Sequence, residues 1–259
     1  MPLFSLEGRV ALVTGASRGI GAGCAEVLAE LGATVAVNYH RGQVEAEQVV
    51  AQLQALGRDA VPIQADVSDP DDARQLVHRV IDRFGKLDIV VNNAGFNASP
   101  PVIMQMSPEE TVKRWHWTLD TNLASQFHIS HEAIVGMTER QWGRIINISS
   151  ISGVRGGLIG DVEYSASKAG ILGLTRGLAR FVAKKGITVN ALAVGIIDTD
   201  ALHKTVSAER LEREIIPAIP VGRLGTPRDV GYLVGFLASD EAEWITGETI
   251  QINGGHHIA

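Results

Sequence analysis

Val10-Ala11-Leu12-Val13-Thr14-Gly15-Ala16-Ser17-Arg18-Gly19-Ile20-Gly21 decides the fold of this chain. Val10 to Val13 are apolar without alternation, the pattern of a strand buried on both faces. Ile20, Val27, Leu28 and Leu31 recur at helical spacing after the turn, so Ile20–Leu31 reads as a helix. Between them stand Gly15, Gly19 and Gly21. Glycine lets backbone N–H groups approach a pyrophosphate, which the positive end of the following helix also attracts. The spacing is G-x-x-x-G-x-G rather than the common G-x-G-x-x-G, and glycine is also the default residue of a tight turn. The strand–turn–helix context favours a dinucleotide cradle.

The same alternation continues outward. Strand-like runs are Arg9–Thr14, Thr34–Asn38, Ala60–Gln64, Asp88–Asn92, Arg144–Ser149, Thr188–Ala193 and Thr249–Ile252. Helical patterns lie between them at Ile20–Leu31, Gln43–Leu56, Asp71–Phe84, a long one near Glu109–Met137, Glu163–Lys184 and Pro227–Ala238. Right-handed crossovers then give a doubly wound α/β Rossmann fold, a seven-stranded parallel sheet with helices on both faces. No linker, repeat or low-complexity tract interrupts it, so residues 1–259 are expected to form a single domain. The least regular parts, 153–160 and 196–219, are positioned to line a ligand crevice.

Composition narrows the function. The chain has 259 residues, with 45% hydrophobic and 20% charged residues, ordinary for a globular protein. A net charge of -6 without a long basic run argues against nucleic acid. Cys24 is the one cysteine, which excludes an intramolecular disulfide, and it falls on an apolar helix face. Residues 1–7 lack the charged and apolar regions of a signal peptide, and no apolar run approaches the ~20 residues of a membrane span. A cytoplasmic protein that engages no membrane is expected.

Tyr164-Ser165-Ala166-Ser167-Lys168 places a phenol and an ammonium four residues apart on one helix face. Free tyrosine has a pKa of about 10, too high for efficient proton exchange near neutrality. A cation within about 4–6 Å favours the phenolate and lowers that value. An isolated Tyr-x-x-x-Lys can equally be a solvated helix face. Asp66-Val67 and Asn92-Asn93-Ala94-Gly95 follow the third and fourth strands at the sheet edge that holds the glycine turn. Each alone could be a helix cap or an Asx turn.

With these residues in hand, the chain resembles the classical short-chain dehydrogenases/reductases over nearly its full length. The matching motifs are Thr14–Gly21, Asp66-Val67, Asn92–Gly95, Asn122, Ser150, Tyr164-x-x-x-Lys168, Val189-Asn190, Ile245-Thr246-Gly247 and Gly254-Gly255. It looks most like the branch holding 3-oxoacyl-carrier-protein reductases and small ketone or sugar reductases. The resemblance implies Tyr164 as general acid in reduction and base in oxidation, and Lys168 on the nicotinamide ribose, lowering the Tyr164 pKa. It also implies Ser150 on the substrate oxygen and Asn122 holding a water in a proton relay. Hydride arriving at a carbonyl builds negative charge on oxygen, where Ser150 and Tyr164 can hydrogen-bond it. The expected cofactor-binding set is Gly15, Ser17, Arg18, Gly19, Ile20, Gly21, Asn38, His40, Arg41, Asp66, Val67, Asn93, Ala94, Gly95, Tyr164, Lys168, Gly195, Ile197 and Thr199. Val194 stands where the family usually has proline, and Asn253 where it usually has aspartate. The stretches Phe96–Trp115 and Ser150–Tyr164 are longer than is common.

An acid at the end of the second strand would select NAD by hydrogen-bonding the ribose 2′-OH. That strand ends Val37-Asn38-Tyr39-His40-Arg41, with no acid until Glu45. Arg18 and Arg41, and less directly His40 and Asn38, could instead hold a 2′-phosphate. NADP(H) is therefore the expected cofactor, with NAD(H) as the alternative. The expected activity is an NADPH-linked carbonyl reductase, reversible as an alcohol dehydrogenase. An NAD-linked alcohol or polyol dehydrogenase, or a nucleotide-sensing protein that lost the chemistry, are the competing readings. Phe96, Ile151, Val154, Leu158, Ile159, Ile196, Ile197 and Leu202 suggest an apolar substrate body, with Arg155 the one ambiguous charge.

A homotetramer is expected from the family, through the helices at 109–137 and 163–184. Leu172, Leu174, Leu178 and Phe181 spread around the second of these more widely than one buried face needs. No metal is expected: His128, His131 and Glu132 share a helical turn but lack a third ligand motif. Core packing suffices for Trp115. Arg140, Arg144, Lys184 and Lys185 could dock an acidic carrier protein, although a solvated surface explains them as well.

Overall fold

The computed structural model describes residues 4–96, 106–157 and 162–258. Its strands are β1 (Val10–Val13), β2 (Thr34–Tyr39), β3 (Ala60–Gln64), β4 (Ile89–Asn92), β5 (Gly143–Ser150), β6 (Ile187–Val194) and β7 (Thr249–Ile252). They form one seven-stranded, all-parallel sheet in the order β3-β2-β1-β4-β5-β6-β7. The strand order reverses between β1 and β4, where Val13 pairs with Val37 on one side and Val91 on the other. Ligands of open α/β sheets bind at such a reversal, beyond the carboxyl ends of the strands.

The unbroken apolar runs have a direct cause. Successive side chains of a strand point to opposite faces, and here each face carries its own core. Ala11 and Val13 join Val35, Val37 and Val91 in one core, while Val10 and Leu12 join Ala36, Val90 and Ile145 in the other. Helices α1 (Gly19–Glu30), α2 (Gln43–Ala55) and α10 (Pro227–Leu237) cover the first face through Leu28, Leu53 and Val234. Helices α3 (Pro70–Phe84), α5 (Ser125–Arg140) and α7 (Val162–Val182) cover the second through Leu76, Met137 and Val182. The remaining α-helices among the described residues are α4 (Pro108–Leu119), α6 (Ser152–Arg155), α8 (Asp200–Thr205) and α9 (Ala208–Arg210).

Several sequence expectations change in three dimensions. The long helix near Glu109–Met137 is interrupted by a π-helical turn at Asp120–Ala124, between α4 and α5. Trp115 is not core: of α4 only Thr118 is buried, and Trp115 is 40% exposed. The proposed basic surface does not assemble. Arg144 is buried, stacks on the Trp142 ring and donates to the Ser239 carbonyl, while Arg140 donates to the Leu87 carbonyl and pairs with Asp88. Leu172 is buried and Leu178 packs against the second core, so neither is left for a partner, whereas Phe181 is 78% exposed. Cys24 is sealed in the first core, and burial pushes its thiol up to about 12. Among the described residues no helix is long and apolar enough to cross a membrane.

Candidate active site

Helix α1 begins with Arg18 at its N-cap, and no side chain caps it. By contrast, Asp69, Ser107 and Thr226 cap α3, α4 and α10 with side-chain oxygens. The first N–H groups of α1 therefore lack the side-chain acceptor that satisfies them elsewhere. The turn ahead of α1 is braced from three strands. Asn93 donates its side-chain amide to the Thr14 and Gly15 carbonyls at 2.9 and 3.1 Å. The Thr14 hydroxyl oxygen accepts from the backbone N–H groups of Asn93 and Ala94, both at 2.9 Å. A Cβ on Gly21 would lie 2.5 Å from the Gly15 oxygen and 2.6 Å from Asn93 Nδ2, so only glycine lets helix and turn close this tightly.

In front of the turn lies a cleft of about 180 Å³, lined by residues that follow β1, β2, β3 and β4. Gly15, Asn38, His40, Asp66, Val67, Asn93, Ala94 and Gly95 all belong to it, as expected. Phe96, expected over the substrate side, lines it too, as do Ala65 and Thr121, which were not singled out. Ala65 and Phe96 flank motifs already singled out, whereas Thr121 belongs to the π-helical turn at Asp120–Ala124. His40 lines the cleft and is exposed, Arg18 and Arg41 are exposed as well, and Ser17 is nearly sealed. Thr199 stands over the turn, its γ-methyl 3.5 Å from where a Gly19 Cβ would be.

Asn38 lines the cleft from beneath, whereas Ile197 and Gly195 lie away from it. Asn38 is 1% exposed, and its amide is spent on protein. Its Oδ1 accepts from the Gly15 N–H at 3.1 Å, and its Nδ2 donates to the Ile63 and Ala65 carbonyls at 3.2 and 3.3 Å. It thus shapes the cradle from beneath and has no amide hydrogen facing the rim for a phosphate. Ile197 is buried and borders a separate apolar groove with Ile196, Ile219 and Ile252, bridged to Gly225. Gly195 packs directly on Asn253 rather than on the cleft.

At the rim, His40 Nε2 lies 3.7 Å from Asp66 Oδ2. Burial opposes ionisation of Asp66, but hydrogen bonds from Ser68 and the charges of His40 and Arg41 outweigh it and hold the carboxyl below its usual range.

Beyond β5 the second constellation assembles. Lys168 is 4% exposed and donates from Nζ to the Ile148 carbonyl at 2.9 Å. Nζ lies 5.6 Å from the centre of the Tyr164 ring, so the i, i+4 pair meets as the helix spacing requires. Burial lowers the Lys168 pKa to about 8. Ser149 Oγ donates to the Lys168 carbonyl at 2.8 Å, and α6 presses on the same point, since a Cβ on Gly153 would sit 2.6 Å from the Lys168 carbonyl carbon. Ser150 is half-buried at the end of β5, its Oγ accepting from the Ser152 N–H at 3.1 Å.

Asn122 sits in the π-helical turn, fully buried. It donates to the Phe96 carbonyl and Ser167 Oγ at 3.1 and 3.2 Å and accepts from the Phe96 N–H at 3.0 Å. A Cβ on Gly95 would be 3.0 Å from Asn122 Oδ1 and 3.4 Å from Lys168 Nζ. The turn after β4 is thereby clamped over both residues. Beneath it runs a buried polar chain absent from the sequence reading: Asn92 donates to Asn147 and Ser130, and Asn147 donates to Thr175, each at 2.9 Å.

The two single-residue departures from the family pattern are accommodated. Val194 ends β6, buried, and its carbonyl accepts from the Ile151 N–H at 3.0 Å, so sheet pairing fixes the loop that a proline ring would otherwise stiffen. Asn253 donates to Gln251 Oε1 and to the His257 carbonyl at 3.1 and 2.9 Å, which an aspartate could not do. Leu158 and Ile159 lie outside the described residues. Glu132 engages His78 at 2.7 Å.

Comparison with known proteins defines the class. A family model described as enoyl-(acyl carrier protein) reductase matches residues 15–257. The 3-oxoacyl-[acyl-carrier-protein] reductase FabG of Staphylococcus aureus is 43% identical over 248 residues, covering 96% of this chain and 98% of its own length. A protein of Sinorhizobium meliloti 1021 described as a short-chain alcohol dehydrogenase superposes with a TM-score of 0.91 at 37% identity, covering 98% of each chain. A short chain dehydrogenase from Burkholderia cenocepacia J2315, solved in complex with NADP, gives 0.87 at 37% identity over 97% of this chain and 98% of its own. The chain belongs to the short-chain dehydrogenase/reductase family and is an oxidoreductase of that type.

Proposed function

We propose that this chain is an NADPH-dependent carbonyl reductase acting on ketone or 3-oxoacyl-type substrates, reversible as an alcohol dehydrogenase. The observation that carries this reading is Lys168, a buried ammonium beside the Tyr164 ring, at the end of the sheet that also holds the glycine cradle. The uncapped start of α1 and the space that a Gly21 Cβ would fill suit a dinucleotide pyrophosphate. The relatives support both the chemistry and the cofactor: FabG is named a 3-oxoacyl reductase, and the B. cenocepacia protein was solved with NADP. Cofactor and substrate sites then share one domain, in a cytoplasmic enzyme.

NADPH would supply hydride to the carbonyl carbon. Ser150 Oγ holds the substrate oxygen as charge builds on it, and Tyr164 delivers the proton there. Lys168 favours loss of that proton from Tyr164 through its charge and binds the nicotinamide ribose. Asn122 has its side chain committed to Phe96 and Ser167. Its part is to keep the turn after β4 fixed over Lys168. Arg18 and Arg41, both exposed, hold the 2′-phosphate.

A panel of ketones, 3-oxoacyl thioesters and sugars, assayed with NADPH and NADH by nicotinamide absorbance, tests the reading. Turnover of a carbonyl compound with NADPH preferred is the expected result. Arg18→Ala and Arg41→Ala should each cut the NADPH:NADH ratio of kcat/KM by roughly 10-fold, the worth of one charge-assisted hydrogen bond. Equal or better use of NADH by the unmodified protein would overturn the cofactor assignment.

The assembly we propose is a homotetramer. Trp117 on α4, Val135 on α5, and Val162 and Phe181 on α7 are exposed on the helices that the family pairs between subunits. Light scattering at micromolar concentration is expected to give four times the 27.7 kDa chain mass, and a monomer there would rule the tetramer out.

A further inference from the structure

Charge pairing of the arginines singles out one of them. Arg9, Arg58, Arg79, Arg114, Arg144 and Arg228 are all half-buried or buried, and each pairs with a carboxylate. Arg155 is half-buried as well, yet among the described residues no carboxylate pairs with it. A guanidinium withdrawn from water without a counter-charge is costly, so arginines in such places normally hold an anion.

The atoms show which edge of Arg155 lacks partners. Nη1 donates to the His256 carbonyl at 3.4 Å. Nε is sealed from solvent with no acceptor, and Nη2, open to solvent, has none either. Nε and Nη2 lie on the side-on edge of the guanidinium, and with Nε sealed, Nη2 is the donor a carboxylate or phosphate oxygen can reach. Beside it, His256 Nδ1 and His257 Nε2 are also buried without partners. Burial first, then the charge of Arg155, lowers the His256 pKa, and an anion at the guanidinium would relieve the second of these.

Topology places this cluster on the substrate side. Arg155 ends α6, the short helix that follows Ser150. Ser150 pairs with Val194, and Val194 with Ile252, so the β7 end lies two strands from Ser150. Asn253 then fixes the His256-His257 turn, accepting from the Gly255 N–H at 2.9 Å and donating to the His257 carbonyl at 2.9 Å.

We propose that Arg155, flanked by His256 and His257, is a subsite for one anionic group, a carboxylate or a phosphate, on the far end of the carbonyl substrate. This rests on reading the Tyr164–Lys168 site as a carbonyl reductase, and it ends the apolar substrate body expected from the lining in an oxyanion.

Acetoacetate, levulinate, their methyl esters and the phosphate ester matching levulinate test it, with the unmodified protein, Arg155→Gln and Arg155→Lys. The unmodified protein should favour an anionic compound over its neutral ester in kcat/KM. That ratio should fall about 10- to 100-fold in Arg155→Gln, as a lost charge-assisted pair implies, with partial recovery in Arg155→Lys. Carboxylate and phosphate arms report which oxyanion the guanidinium takes. A ratio that does not move, or equal losses on ester and acid, overturns the subsite. Should no compound turn over, the reductase reading fails, and calorimetric titration of levulinate still decides the subsite. Saturable binding that Arg155→Gln abolishes supports it, and its absence from the unmodified protein ends it.

Discussion

Tyr164→Phe is expected to lower kcat for carbonyl reduction by about 10²–10⁴-fold, the usual worth of a positioned general acid. NADPH affinity should be nearly unchanged, because only a hydroxyl is lost and the ring still packs beside Lys168, 5.6 Å from Nζ. Single-turnover rates and a fluorescence titration of NADPH separate the two quantities. A near-normal kcat would mean that the proton reaches the substrate from another group, and the acid/base role given to Tyr164 would be wrong.

Lys168→Met is expected to do two opposite things: remove activity and stabilise the protein. Burial lowers the Lys168 pKa from 10.5 to about 8. Below about pH 8 the folded protein therefore holds an ammonium that the unfolded chain would keep hydrated. The sign follows: the unfolded state binds the proton more tightly, so this destabilisation is full below about pH 8, shrinks as pH rises toward 10.5, and is absent above it. Its size is on the order of 3 kcal/mol. Losing the charged hydrogen bond to the Ile148 carbonyl offsets about 2 kcal/mol of the gain. The variant should thus melt roughly 2–4 °C higher near neutrality, with the advantage narrowing on approach to pH 10. Thermal unfolding of both proteins at several pH values checks this, and a variant less stable than the parent near neutrality would refute it. A buried charge that costs stability is the mark of a site shaped for function rather than for folding.

The cofactor end of the molecule shows how far one-dimensional reading reaches. The glycine turn and the residues after β2, β3 and β4 lie together at the cleft because parallel strands all present their carboxyl ends to one edge. The internal commitment of the Asn38 amide was not legible in the sequence, because its residue type suits a phosphate contact equally well. Only the packing of β2 against β3 and the glycine turn shows that its amide is consumed inside. Arg144 looked like surface for a similar reason: charge implies exposure by default, and here the Trp142 face and the Ser239 carbonyl replace water.

What the sequence by itself determined is whatever depends on local period and order. Runs such as Val10–Val13 and Ile89–Asn92 are buried on both faces, so their lack of alternation announced a covered parallel sheet. Tyr164 and Lys168 meet because helix geometry alone brings i and i+4 together. The tertiary structure decided whatever depends on distant segments. Asn122 lies in a π-helical turn whose partner, Phe96, is 26 residues away, and no local pattern encodes that bulge. Arg155 and His256 stand 101 residues apart and touch only because β5, β6 and β7 are paired in that order. Local periodicity is written in every few residues, whereas a long-range contact exists only after the whole chain has paid the entropy of closing the loops between.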